Sequence, residues 1–483
     1  MKKKIITLIL SAIMVLSVFT VIAVAEGTTE TSGICGENVT WKFDESTGTL
    51  TISGTGEMNM HLDECTSWSA FETQITRVVF EEGVTSVSEL AFLNEDGNLS
   101  NLKEVEFSNT ITYIGDDAFN MCDGLENVVI GNGTTRIGMG GFYGCENLKT
   151  LDLGENLERI GWNAFSACES LTSVYIPAKV SNISDSFLNC TSIENFTVDA
   201  ENQYYSNDER GALLNKDQTY LYYYPLGNAD AFYQIPQTVE SIGYSCFAES
   251  KLKQINCSKS LAEISSGIFA DCTELNSIFI YDDVTTIGDY AFKGCISLGD
   301  VYYSGTEDDW NLIEIFSEND CLLNATIHFE QVEYNIIDKV ESLDSYTVRA
   351  DGDFSKFTGV KVDGELVDSS NYTATEGSTI IEFKADYLET LDAGEHTVTV
   401  VFTDGIAITN LEIEEDNNDD TVNDNVNDNT DNNTNNDANK NENNDNLVTD
   451  VEIPNTDYDR TILSAFVAMT LSGVALVGLK KKK

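Results

Sequence analysis

The sequence predicts a repeat solenoid with one short strand and one short helical turn per unit. A small all-β sandwich, a disordered stalk and a C-terminal transmembrane helix follow it. Three observations predict this. Phe119, Phe142 and Phe165 are spaced by 23 residues, Phe187 follows after 22, and Phe247, Phe269 and Phe292 resume the spacing. Residues 332–413 abandon that period for short alternating runs, and 414–446 hold 15 Asn and 11 acidic residues with one Lys. A fixed period of 20–29 residues marks stacked units that bury a shared core.

Each unit reads the same way. Ile160, Gly161, Ala164, Phe165, Cys168, Leu171, Val174 and Ile176 recur as Ile114, Gly115, Ala118, Phe119, Cys122, Leu125, Val128 and Ile130. They recur again from Ile287 to Tyr303. Ala118, Phe119 and Cys122 stand at helical offsets, Val128-x-Ile130 alternates as a strand, and the Gly after Ile marks a bend. Seven units start at Ile114, Ile137, Ile160, Ile183, Ile242, Ile264 and Ile287, and a degenerate eighth surrounds Val87 and Phe92. Between Phe196 and Ile242 the spacing opens. Gly211–Asn215 and Thr219–Tyr224 read there as a hairpin, near 197–235, budding from the array. Tyr220, Tyr222, Tyr223 and Tyr224 crowd on it. They either pack it onto the array or offer a contact for a ligand.

The two ends speak of export. Lys2–Lys4, the apolar run to Ala23 and Ala23-Val24-Ala25 have the form of a secretory signal peptide, residues 1–25. Thr461–Leu479 is 19 residues without a charge before four terminal lysines. It is long enough for a bilayer, with the lysines left on the cytoplasmic side.

Composition excludes several functions. With 81 acidic against 27 basic residues, the formal charge of −54 excludes the usual nucleic-acid binder, which needs a basic face. His61, His328 and His396 are far apart, and no Cys-x-x-Cys, Gly-x-Ser-x-Gly, His-Glu-x-x-His or phosphate-loop motif occurs. The reading is therefore non-enzymatic, without metal or cofactor. Of the 11 cysteines, Cys122, Cys145, Cys168, Cys190, Cys272 and Cys295 hold one position in successive units, which predicts a buried column of free thiols. A Cys35–Cys65 bridge is conceivable in the cap.

The pattern Ile-Gly-x-x-Ala-Phe-x-x-Cys-x-x-Leu-x-x-Val-x-Ile resembles the BspA-like leucine-rich repeat of bacterial surface proteins. Cys35–Trp41 with Leu50–Gly56 resembles that family's N-terminal cap, placed at 26–85, and Tyr302–Trp310 its last segment, so the repeats run over 86–330. Gly359–Gly364, Tyr372-Thr and Tyr387 to Val398 are similar to an immunoglobulin-like X-type module, placed at 332–413. That resemblance implies carbohydrate or cell-wall binding or a spacer role, and the lack of an aromatic row favours a spacer. The Asn/Asp-rich linker is placed at 414–450 and the sorting signal with its anchor at 451–483.

Ile453, Pro454, Asn455, Thr456 and Asp457 resemble the signal of Gram-positive surface proteins that sortase cuts and joins to the cell wall. Ile453 stands for the family's Leu and Asp457 for its Gly. The resemblances imply an adhesin-like protein on the surface of a Gram-positive type bacterium, held by the wall or by the membrane through 461–479. Its partner would be an extracellular host or neighbouring-cell protein, met by the solenoid. The alternative is a glycan, met by the sandwich or the tyrosine hairpin.

Overall fold

The structure is a computed structural model that describes residues 31–61, 65–342 and 345–414. The signal peptide, the linker beyond 414, Ile453–Asp457 and the 461–479 segment lie outside the described residues. The chain divides into two compact units, Met1–Asn417 and Asn418–Lys483, and every described residue belongs to the first. No helix among the described residues is long and apolar enough to cross a membrane.

The repeats coil into a β-solenoid of about 11 turns. Each regular turn lays down two short strands. Asn127–Val129 pairs in parallel with Glu104–Glu106 before it and Thr150–Asp152 after it. Arg136–Ile137 does the same with Tyr113–Ile114 and Arg159–Ile160. The turns outnumber the sequence motifs because the ends use different residues. In the cap, Thr49–Gly54 pairs antiparallel with Val39–Asp44 but parallel with Arg77–Phe80, so the cap is already the first coil of the same sheet. Trp68 fills the phenylalanine position there and stacks on Phe92 at 4.9 Å. At the far end Asn319 closes the array, accepting from the Phe292 N–H and donating to the Gly288 carbonyl.

The structure corrects the helical turn expected in each unit. Residues 116–121 are turns, not helix. Asp117 and Met121, four apart, take left-handed backbone with φ of 51° and 59°; Asn163 with Ala167 and Ser245 with Glu249 repeat this, and Gly140 with Gly144 does so with glycine. Alternate N–H groups consequently point at the next rung: Asp117 donates to Met139 O (2.7 Å), Phe119 to Gly141 O (2.8 Å) and Met121 to Tyr143 O (2.6 Å). One isolated helical turn is costly to nucleate and leaves its terminal donors without partners. Bonds between rungs satisfy those donors, while Ala118, Phe119 and Cys122 still point inward. The glycine that follows the isoleucine in five of the seven units also has a different cause. A Cβ on Gly161 would lie 2.5 Å from the Gly138 carbonyl carbon, so this glycine permits close approach of two rungs.

Two columns hold the interior. Phe92, Phe119, Phe142, Phe165 and Phe187 stack with centroids 4.9–5.6 Å apart. Phe247, Phe269 and Phe292 form a second stack. Beside them run the predicted free thiols. Each donates to the carbonyl of the phenylalanine one unit earlier: Cys122 to Phe92, Cys145 to Phe119, Cys168 to Phe142, Cys190 to Phe165, Cys272 to Phe247 and Cys295 to Phe269, at 3.0–3.5 Å. Cys35 is likewise a free, buried thiol, so it forms no bridge to Cys65.

The insert does not bud away from the array. Leu213–Asn215 and Tyr220–Tyr223 form an antiparallel pair, with Tyr205–Asn207 along its other edge. Tyr220–Tyr223 then pairs in parallel with Ser241–Ile242 and re-enters the ladder.

Residues 332–413 form two sheets around one core. One holds Val332–Glu333, Gly405–Ile413, Gly394–Phe402, Phe357–Val362 and Glu365–Leu366. The other holds Ile336–Ser342, Ser345–Ala350, Thr379–Phe383 and Tyr372–Thr375. Tyr346, Val348, Val360, Ile381, Val400 and Phe402 fill the space between them.

Candidate binding face

The wider ladder presents two side chains per rung away from the core, at the positions of Asn127 and Val129. In the second half of the solenoid these positions are Gln254 and Asn256, Ser277 and Phe279, then Asp300 and Tyr302. All but Asp300 are buried, Phe279 completely, because the sandwich lies on them. Ile406 and Ile408 of its five-stranded sheet pack against Phe279 and Tyr302.

Polar pairs surround that contact. Lys361 Nζ reaches Asp300 Oδ2 (2.7 Å), and Lys253 Nζ reaches Asp363 Oδ2 (2.9 Å). Asn256 donates to Glu333 (2.6 Å) and Thr399 to Gln254 (3.1 Å). The alternating run 396–402 therefore does not have one wet face. Val398, Val400 and Phe402 point into the sandwich, Thr397 and Thr399 point away from that core, and all five are buried.

The interface charges are tuned by their partners. The His328 hydrogen bond, with help from Lys361, holds the Asp300 carboxyl down at about 2 despite burial. Burial pushes the Asp363 carboxyl up, but hydrogen bonds from His396, Lys253 and the Thr397 N–H prevail and hold it at about 2. Glu395 goes the other way. Burial, then the facing Asp230 carboxyl, push it up to about 7. Its Oε2 accepts from the Ala231 N–H (3.1 Å), and Arg210 lies between the two acids, 2.5 Å from Asp230 Oδ1 and 3.6 Å from Glu395 Oε1.

In the first half the same face is open. Glu104, Glu106, Asn127, Asp152, Asn195 and Thr197 are exposed, and two apolar side chains stand among them, Val129 at 58% and Tyr175 at 50% exposure. Tyr175 and Val129 occupy the rung positions of Phe279 and Tyr302. The face ends in a polar cleft of about 340 Å³, lined by Asn195, Thr197, Asn207, Arg210 and Asp230 among others.

The tyrosine cluster divides. Tyr223 and Tyr224 are interior residues. Tyr223 meets Phe187 and Phe196, closing the first phenylalanine stack, and Tyr224 lies on Phe247, opening the second. Tyr220 and Tyr222 stay half-buried, with their rings 4.6 Å apart. Sequence reasoning passed over Val129, Tyr175, Arg210 and Glu395. The first two carried a signal, since an apolar residue at an outward strand position is conspicuous once the register is known.

Residues 97–208 and 226–345 match, in six copies, the family model described as a BspA type leucine-rich repeat region. The repeats match the BspA type. The break in the match, 209–225, falls within the insert. No curated protein matches this chain. Among solved structures, a leucine-rich repeat protein of Eubacterium ventriosum is 21% identical, over 62% of this chain and 78% of that one, with a TM-score of 0.49. The pneumococcal vaccine antigen PcpA is 18% identical over 62% and 89%, with a TM-score of 0.44. A leucine-rich repeat protein of Bacteroides ovatus is 19% identical over 62% and 82%, with a TM-score of 0.37.

Proposed function

We propose that this is an exported, non-enzymatic binding protein of the bacterial surface, whose ligand is a protein of a host or a neighbouring cell. It meets that ligand with the open sheet face of its first solenoid half. One observation carries the reading: the same rung positions that bury the sandwich in the second half are left uncovered in the first, with Val129 and Tyr175 exposed. A flat β face that already serves as a docking surface within the chain suits recognition better than catalysis.

The signal-peptide form of 1–25, the Ile453–Asp457 motif and the apolar 461–479 segment support export and attachment, by sortase to the wall or by the membrane. The immunoglobulin-like resemblance of 332–413 belongs to the same reading. Docked on the BspA-type repeats, this module works as a brace and not as a free spacer. The burial of Tyr223 and Tyr224 argues against the tyrosine hairpin as the main contact.

The test is an array of extracellular-matrix proteins and polysaccharides, probed with the full chain and with a Val129→Asp/Tyr175→Ala variant. A protein ligand bound by the parent should lose about tenfold or more in affinity on the double substitution. Retention of full binding by the variant overturns the face assignment.

A further inference from the structure

The second, narrower ladder carries a feature the protein-binding face does not use. Five arginines lie among the described residues. Arg77 pairs with Glu104 and Glu106, Arg210 with Asp230 and Glu395, and Arg349 with Asp338. Arg136 and Arg159 form no ion pair among the described residues, and they sit opposite each other on neighbouring rungs. Parallel strands set their backbones ~4.8 Å apart, a spacing from which two guanidinium groups can reach one anion.

In a chain of formal charge −54, two adjacent unpaired cations are a pronounced local exception. The repeat itself does not require them, since the equivalent positions later in the array are Glu263, Thr286 and Glu314.

One aromatic ring lies against the pair, and two exposed apolar side chains share its rungs. The Arg136 guanidinium lies over the Tyr113 ring at 4.6 Å. The Tyr113 hydroxyl donates to Asp116 (3.0 Å), which also accepts the Met139 N–H (2.9 Å), so the neighbouring carboxylate is already engaged. Past the bend, Met139 and Trp162 stand on the same two rungs as the arginines, joined by the Gly140 N–H to Trp162 O bond (2.9 Å). They are 45% and 42% exposed, whereas Trp41, Trp68 and Trp310 are all buried.

We propose that Arg136 and Arg159, with Tyr113, Met139 and Trp162, form a binding surface for an acidic sugar, a saccharide ring bearing one carboxylate. Paired guanidinium groups give a planar carboxylate charge-assisted hydrogen bonds, and the exposed indole supplies an apolar face for the ring. The strongly negative body repels dense polyanions at long range, which selects a singly charged ligand over a sulfated polymer or an acidic peptide.

The test titrates the full chain with 3′-sialyllactose and a glucuronate-terminated disaccharide, with lactose and an Asp/Glu peptide beside them. At least one acidic sugar should bind about tenfold tighter than lactose, and the Arg136→Gln/Arg159→Gln variant should lose that margin. Because Trp162 is the exposed tryptophan, the acidic sugar should change the intrinsic fluorescence, and Trp162→Phe should abolish the change. The fluorescence change of the parent is read without any variant. Val129→Asp, on the other ladder, should leave sugar binding intact, which separates this site from the protein-binding face. Equal binding of lactose, no binding of either acidic sugar, binding of the peptide alone, or an unchanged double variant would each overturn the proposal.

Discussion

At the scale of the residue, chemistry follows burial. The column cysteines are small apolar residues whose thiols donate to carbonyls one unit earlier, and in the first half burial pushes the ionisation of Cys122, Cys145, Cys168 and Cys190 up, that of Cys190 to about 12. A thiolate is the reactive species, so these groups should be inert in the folded protein. Iodoacetamide labelling read by mass spectrometry should leave Cys145, Cys168 and Cys190 unmodified until denaturant is added.

Glu395 behaves differently because its carboxyl is raised in the folded state. The stability tied to its protonated form is complete below its ordinary range and is lost as pH rises through about 7. The His396 imidazolium, raised by its hydrogen bond to Asp363, changes in the same sense, its contribution also fading as pH rises. Asp363 and Asp300 oppose it at the acid end, where their contribution is lost as pH falls towards about 2. Protection of the Ala231 amide from hydrogen exchange, corrected for intrinsic exchange, should therefore decline as pH rises from the ordinary 4.5 to about 7, a range set by the raised Glu395. Glu395→Gln should flatten that decline. A decline that persists unchanged in Glu395→Gln would assign it elsewhere.

At the scale of the element, the insert joins two arrays. Tyr223 completes one aromatic stack and Tyr224 starts the other, so two consecutive residues on one strand carry the core across a break in the period. Tyr224→Ala should cost ~3–5 kcal/mol, the usual range for emptying a large aromatic site. Among the described residues the buried Tyr224 hydroxyl has no hydrogen-bond partner. Tyr224→Phe should therefore raise stability by about 1 kcal/mol, and urea denaturation of the two variants checks both signs. Gly161→Ala tests the rung spacing, because its Cβ would meet backbone that cannot yield. It should destabilise by more than the same substitution at Gly299, where a Cβ would meet nothing closer than 3.9 Å.

At the scale of the whole molecule, the sandwich makes one body of the described chain. Phe279 and Tyr302 are outward-facing residues of the solenoid that become core only because Ile406 and Ile408 cover them. A truncation ending at 330 should bind a hydrophobic dye and self-associate, which light scattering and dye fluorescence would detect. A truncation that stays monomeric and dye-negative would mean that the apolar contact is dispensable. The pairs Lys361–Asp300 and Lys253–Asp363 cost desolvation as well as gaining attraction, so they fix the docked register more than they add to its strength.

The period of 23, the inward Phe and Cys columns and the strand at Val128-x-Ile130 were determined by sequence alone, because each repeats locally and stacking follows from the repetition. The form of the turns was not, since Ala118, Phe119 and Cys122 keep the same inward spacing in a helix and in turns with left-handed residues at Asp117 and Met121. Only the bonds from Asp117, Phe119 and Met121 to the next rung choose between the two. The cap and the last coils escaped the count because Trp68 and Asn319 replace the motif residues there. Above all, only tertiary structure decided which rungs are free. Val129 and Phe279 are equivalent in sequence, yet one is open and the other buried, because the surface that covers Phe279 comes from strands more than a hundred residues further along the chain.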